Sequence, residues 1–102
     1  MLNNDIKAVI SNNKDLISEL IPEEPVEDIN NVLNELSKIK RKKGMLYRNF
    51  IRKFNNKSQT ARILYKLQSI NAVRFYRESL GPQIIQFFPE AIKEWCKKVL
   101  IQ

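Results

Sequence analysis

Two glycines, Gly44 and Gly81, and four prolines are all the strong chain breakers in 102 residues. An all-β fold needs a turn roughly every 8–12 residues, and such turns draw heavily on glycine and proline. So few breakers make helix the expected state throughout. Apolar residues make up 43% and charged residues 28%, which is enough apolar material to offset the entropy of ordering a chain. A single helical domain over residues 1–102 is therefore expected.

Apolar residues recur at helical spacing along most of the chain. Ile6, Val9, Ile10, Leu16, Ile17, Leu20 and Ile21 mark a first segment, ended by Pro22 and Pro25. Ile29, Val32, Leu33, Leu36 and Ile39 form the stripe of a second. Its acids (Glu24, Glu27, Asp28) come first and its bases (Lys38, Lys40, Arg41, Lys42, Lys43) last, the order a helix macrodipole favours. Gly44 is the expected stop. Leu46, Tyr47, Phe50, Ile51 and Phe54 predict a third helix, halted at Asn55 and Asn56. Ser58 is the expected cap of a fourth, carrying Ile63, Leu64, Leu67 and Ile70. Beyond a turn or kink at Asn71, the residues Ala72, Val73, Tyr76 and Leu80 predict more helix up to Gly81. A C-terminal helix over Ile84, Phe87, Phe88, Ile92, Trp95, Val99 and Leu100, divided at Pro89, completes the pattern. The expected fold is all-α, a small bundle of five to six short helices.

Parts of the chain rhyme. The run Val32 to Ile39 (VLNELSKI) aligns with Ile63 to Ile70 (ILYKLQSI), and Leu46-Tyr47-Arg48 aligns with Phe75-Tyr76-Arg77. Read as an internal repeat, about 25–54 and about 58–81, these would be two similar helical hairpins packed with a groove between them. Tyr47, Arg48, Tyr76 and Arg77 would line that groove, a natural seat for a peptide.

Several function classes lose their chemistry here. No histidine is present, which removes the commonest general base and metal ligand. The one cysteine, Cys96, has no histidine to activate it and lies among Ile92, Trp95 and Val99, so a buried, inert thiol is expected. Two isolated glycines make no phosphate-cradling loop. The expectation is a protein that is not an enzyme, with no catalytic residues, no metal, no cofactor and no small-molecule substrate. No leader pattern and no apolar run near the ~18 residues of a membrane span occur. A soluble protein of a reducing, intracellular compartment, without membrane association, follows.

The net charge of +7 is unevenly spread. Residues 1–35 hold eight acids against Lys7 and Lys14, whereas residues 36–77 hold thirteen bases and no acid. Such segregation fits a nucleic-acid partner, an acidic protein partner, or an acidic third folded against the basic one. Pairing of the two parts between chains would make a homodimer.

A short chain rich in isoleucine, lysine and arginine, with the loose duplication quoted above, resembles the small orphan proteins of filamentous viruses that infect thermophilic archaea. That resemblance implies a helical protein of the host cytoplasm, in keeping with two motifs and a peptide-holding groove. Eleven asparagines and five glutamines depart from it, because thermophile proteins tend to be poor in these labile residues.

Two binding functions therefore stand side by side. The first is protein–protein interaction, with a peptide or protein segment held in the groove. The alternative is nucleic-acid binding by Lys38, Lys40, Arg41, Lys42, Lys43, Arg48, Arg52, Lys53, Arg62, Lys66, Arg74 and Arg77. Residues 60–80 also loosely resemble a DNA-reading helix-turn-helix, with Ala61, Leu64, Leu67 and Val73 as its core positions and no glycine at its turn.

Overall fold

The chain folds as helices packed with an antiparallel sheet, as a computed structural model describing residues 14–39 and 43–101 shows. The all-α expectation is thereby corrected to a mixed α/β fold. The elements run α1 (Lys14–Leu20), α2 (Val26–Leu36), β1 (Met45–Leu46), α3 (Tyr47–Ile51), α4 (Lys57–Ser69), β2 (Val73–Arg77), β3 (Gln83–Phe87) and α5 (Pro89–Ile101). The sheet order is β1-β3-β2, so the last strand in sequence is the central one. Ile6, Val9 and Ile10 of the expected first helix lie outside the described residues.

The error of expectation lies in residues 72–88. Val73, Tyr76 and Leu80 fit a helical spacing, but Val-Arg-Phe-Tyr-Arg also alternates with period two and is rich in β-forming side chains. Conformation at the flanks decides between the two. Asn71 takes φ 65° and Ser79 φ 52°, left-handed positions that interrupt a helix, and the Gly81 amide closes a tight turn on the Glu78 carbonyl at 2.8 Å. Residues 78–82 thus form a hairpin turn, and Gly81 stops no helix. Pairing puts Val73 opposite Phe87 and Phe75 opposite Ile85 on the core face, while Arg74 meets Gln86 and Tyr76 meets Ile84 on the other. The second helical hairpin expected over 58–81 therefore does not exist, and neither does a groove between two such hairpins.

Helix α4 is well bounded. Asn56, not Ser58, is its cap, and the Asn56 side chain accepts the Gln59 amide at 3.0 Å. At the other end the Ala72 amide donates to the Leu67 carbonyl and the Asn71 amide to the Gln68 carbonyl, both at 2.9 Å. With Asn71 left-handed, this is a Schellman closure, and buried Leu67 and Ala72 supply its apolar contact. Pro89 opens α5, where its missing amide costs nothing.

The core gathers Ile17 and Ile21 of the first helical segment and its following turn, Ile29, Val32, Leu33 and Leu36 of α2, and Phe50 of α3. Ile51 of α3, Ile63, Leu64 and Leu67 of α4, Ala72 after it, Val73 of β2, Ile85 of β3, and Ile92 and Cys96 of α5 complete it. Helix α2 ends at Leu36 with Ser37 as its C-cap, and no basic residue falls in its last turn. The macrodipole account of the basic run is corrected accordingly: Lys38 lies past the helix, and Lys40, Arg41 and Lys42 lie outside the described residues.

Gly44 enters β1 with φ 93°, and a Cβ there would overlap the carbonyl oxygen of Ile85. Gly44→Ala is expected to destabilise the protein by about 2 kcal/mol or more, read as a lower urea midpoint. At Asn71, replacement by glycine is expected to be neutral or stabilising, whereas valine is expected to cost roughly 1–2 kcal/mol in the same measurement.

Candidate nucleic-acid interface

Two consecutive helices, α3 and α4, are joined by residues 52–56. The turn is pinned by Phe54, whose ring lies 5.3 Å from that of buried Phe50. The hairpin β2–β3 follows α4 at once. This is the order of a helix-turn-helix carrying a β-hairpin wing. The helix-turn-helix seen in the sequence over 60–80 is corrected: residues 73–77 are strand β2 and 78–82 its turn, and the two consecutive helices lie within 47–69.

On α4, Thr60, Ile63, Leu64 and Leu67 are buried, which turns Ser58, Arg62, Tyr65 and Ser69 outward by helical spacing, with Ala61 half-buried at the flank. No acid occurs on α3, α4 or β2. Tyr65 is 69% exposed in the middle of the outward face. Leu80, at the hairpin turn, is 100% exposed.

Acidic residues that precede or lie on α2 reach part of the basic set. Arg62 Nε donates to Glu24 Oε1 at 2.8 Å, and the Glu24 side chain is only 4% exposed. Gln59 Nε2 donates to Asp28 Oδ2 at 3.1 Å. Lys38 and Lys53 both donate to Glu35, at 3.0 and 3.2 Å. The Arg62 hydrogen bond holds the Glu24 carboxyl below its usual range, and those of Lys38 and then Lys53 do the same for Glu35.

The other sequence-expected residues fall as follows. Lys43 lies 3.9 Å from Glu78 with both side chains largely exposed, a loose pair. Arg48 is exposed on α3 and Arg52 at its C-cap, Arg77 is exposed at the end of β2, and Lys66 is half-buried on α4. Among the described residues none of these four has a carboxylate at ion-pair distance, and the same holds for exposed Lys57. Arg74 stacks over the Tyr76 ring at 5.3 Å.

Of the four residues expected in a groove, Tyr47 and Tyr76 are instead structural. The Tyr47 ring meets Phe75 edge-on at 5.6 Å, and the Tyr76 hydroxyl donates to the Lys43 carbonyl at 2.7 Å. These side-chain contacts reach from β2 across the central strand β3 to residues 43–47. Lys57 and Tyr65 were missed in the sequence. A helical projection of 57–69 would have set Tyr65 opposite Ile63 and Leu67.

No family model, characterised protein or solved structure matches the chain. The described residues include no group of three or more metal-ligating side chains and no helix long and apolar enough to cross a membrane. Cys96 is buried, which pushes its thiol pKa up.

The depressed carboxyls carry a pH signature. Their contribution to stability is complete above about 4.5, the ordinary value, and is lost as pH falls through the lower folded values. Urea midpoints are expected to fall on acidification below that range. Arg62→Met is expected to move the loss contributed by Glu24 to higher pH, because the carboxyl then keeps its burial without its partner.

Proposed function

We propose that the protein binds double-stranded DNA, with α4 entering the major groove and the β2–β3 hairpin and α3 gripping the backbone. The observation that carries this reading is a set of exposed bases, Arg48, Arg52, Lys57 and Arg77, with no carboxylate at ion-pair distance among the described residues, on two consecutive helices, the turn between them and the hairpin that follows, although Glu23 and Glu24 stand beside Ala61 and Tyr65 on α4. A B-form major groove admits an α-helix, and phosphate contacts from lysine and arginine supply affinity by releasing counterions. The peptide-groove reading has lost the second helical hairpin on which it stood.

The acidic residues of the N-terminal part support the same division of labour. They take up Lys38, Lys53 and Arg62, which steady the helices, and leave Arg48, Arg52, Lys57 and Arg77 exposed. A buried, unpaired thiol suits a reducing compartment. On this reading the protein works inside a cell, where DNA is found.

Fluorescence anisotropy with a labelled duplex of about 20 base pairs tests the reading. With about four phosphates contacted, affinity is expected to fall roughly a hundredfold between ~50 and ~200 mM salt. The double variant Arg48→Glu, Arg77→Glu is expected to bind at least about tenfold more weakly at the lower salt while unfolding at the same urea concentration. Absence of binding at ~50 mM salt would sink the proposal.

A further inference from the structure

Resting on that reading, we infer that the chain holds duplex DNA without reading its sequence, because the side chains of α4 best able to recognise bases are tied back to the protein. Base recognition in the major groove depends on long side chains that present two hydrogen-bonding groups together, chiefly arginine, lysine, asparagine and glutamine. In the N-terminal half of a recognition helix these are the residues that reach base edges. Here that half supplies Gln59 and Arg62. Gln59 is engaged by Asp28 at 3.1 Å, and Arg62 is held to Glu24 through Nε alone at 2.8 Å, which fixes where its remaining guanidinium nitrogens can point.

The hold on Arg62 differs from a surface ion pair. Its own side chain is 57% exposed, but the Glu24 carboxylate it serves is almost fully buried. Withdrawing the guanidinium toward a base would strand a desolvated charge, a larger penalty than the loss of an exposed pair. Lys57, at the first position of α4, presents a single charged point rather than a planar fork and suits a phosphate. Gln68 lies in the last turn, away from the groove-entering half.

Beside the tethered Arg62, what remains exposed on the outward crest of this half and the next turn is Ser58 and Tyr65, with Ala61 half-buried at its edge. A serine hydroxyl bonds different bases without distinguishing them well. The exposed Tyr65 ring offers contact with the sugar-phosphate backbone, which is the same at every base pair. Leu80 at the hairpin turn is an apolar contact, of the kind minor-groove binders use as a wedge. Affinity on such a surface comes from phosphates and apolar packing, and neither carries much sequence information.

The test uses the full chain and a randomised duplex pool, with selection over several rounds and competition by unrelated duplexes. The expected result is no enriched motif and affinities within about tenfold across sequences, against the roughly thousandfold or greater preference typical of specific binders. Tyr65→Ala is expected to weaken binding to all duplexes alike by about tenfold, and Tyr65→Phe to leave it unchanged. An enriched motif preferred by roughly a thousandfold would overturn the inference while leaving DNA binding intact. Unchanged affinity of Tyr65→Ala would remove Tyr65 from the contact and overturn it too. Double-stranded RNA bound as tightly as DNA would take α4 out of the groove, since A-form RNA closes its major groove to a helix. Failure to bind any duplex overturns both this inference and the function on which it rests.

Discussion

Ile85 lies fully buried in the central strand, opposite Met45 on one side and Phe75 on the other, with the Gly44 backbone against its carbonyl. Much of the arrangement follows from that one position. Strand β3 joins the hairpin to the segment that precedes α3, so the start of the helical pair and the wing are held in one sheet. Beside it, the Phe88 amide donates to the Ala72 carbonyl at 2.7 Å, and Ala72 in turn closes the end of α4. The helix and the hairpin are therefore placed by the same few residues. Such a frame lets an exposed helix face keep a fixed attitude toward a large partner, as precise contact requires.

Charge is partitioned around this frame rather than spread over it. Glu24, Asp28 and Glu35 meet Arg62, Gln59, Lys53 and Lys38, so among the described residues the acidic N-terminal part does fold against the basic centre. The value of these contacts lies less in their own strength than in the penalty for breaking them, greatest at the buried Glu24. They fix where α4 can move and which of its side chains stay available. The same ion pairs thus bear on stability and on the chemistry of the candidate interface.

How far this was legible in the sequence varied with position. Helices α2 and α4 were clear because their stripes, Ile29 to Leu36 and Ile63 to Leu67, are long enough for period 3.6 to stand out. The strands were not, because five-residue runs such as Val73–Arg77 satisfy both periods and their pairing is set by Ile85, far away in the chain. Scarcity of glycine misled for a related reason: Asn71 and Ser79 took left-handed positions that glycine usually fills. The basic residues were legible as a set, whereas their division was not. Nothing local in the sequence says that Glu24 reaches across thirty-eight positions to Arg62. Tyr65 was readable in principle, since its place opposite the buried stripe follows from counting along the helix.

The central claim is that α4 and the hairpin turn form the face that meets DNA, and backbone NMR shifts on adding a short duplex test it most directly. The account predicts that the largest changes fall on Lys57 to Ser69 and on residues 77–82, with smaller ones at Arg48 and Arg52. Changes gathered instead on α2 or α5, with α4 unmoved, would contradict it.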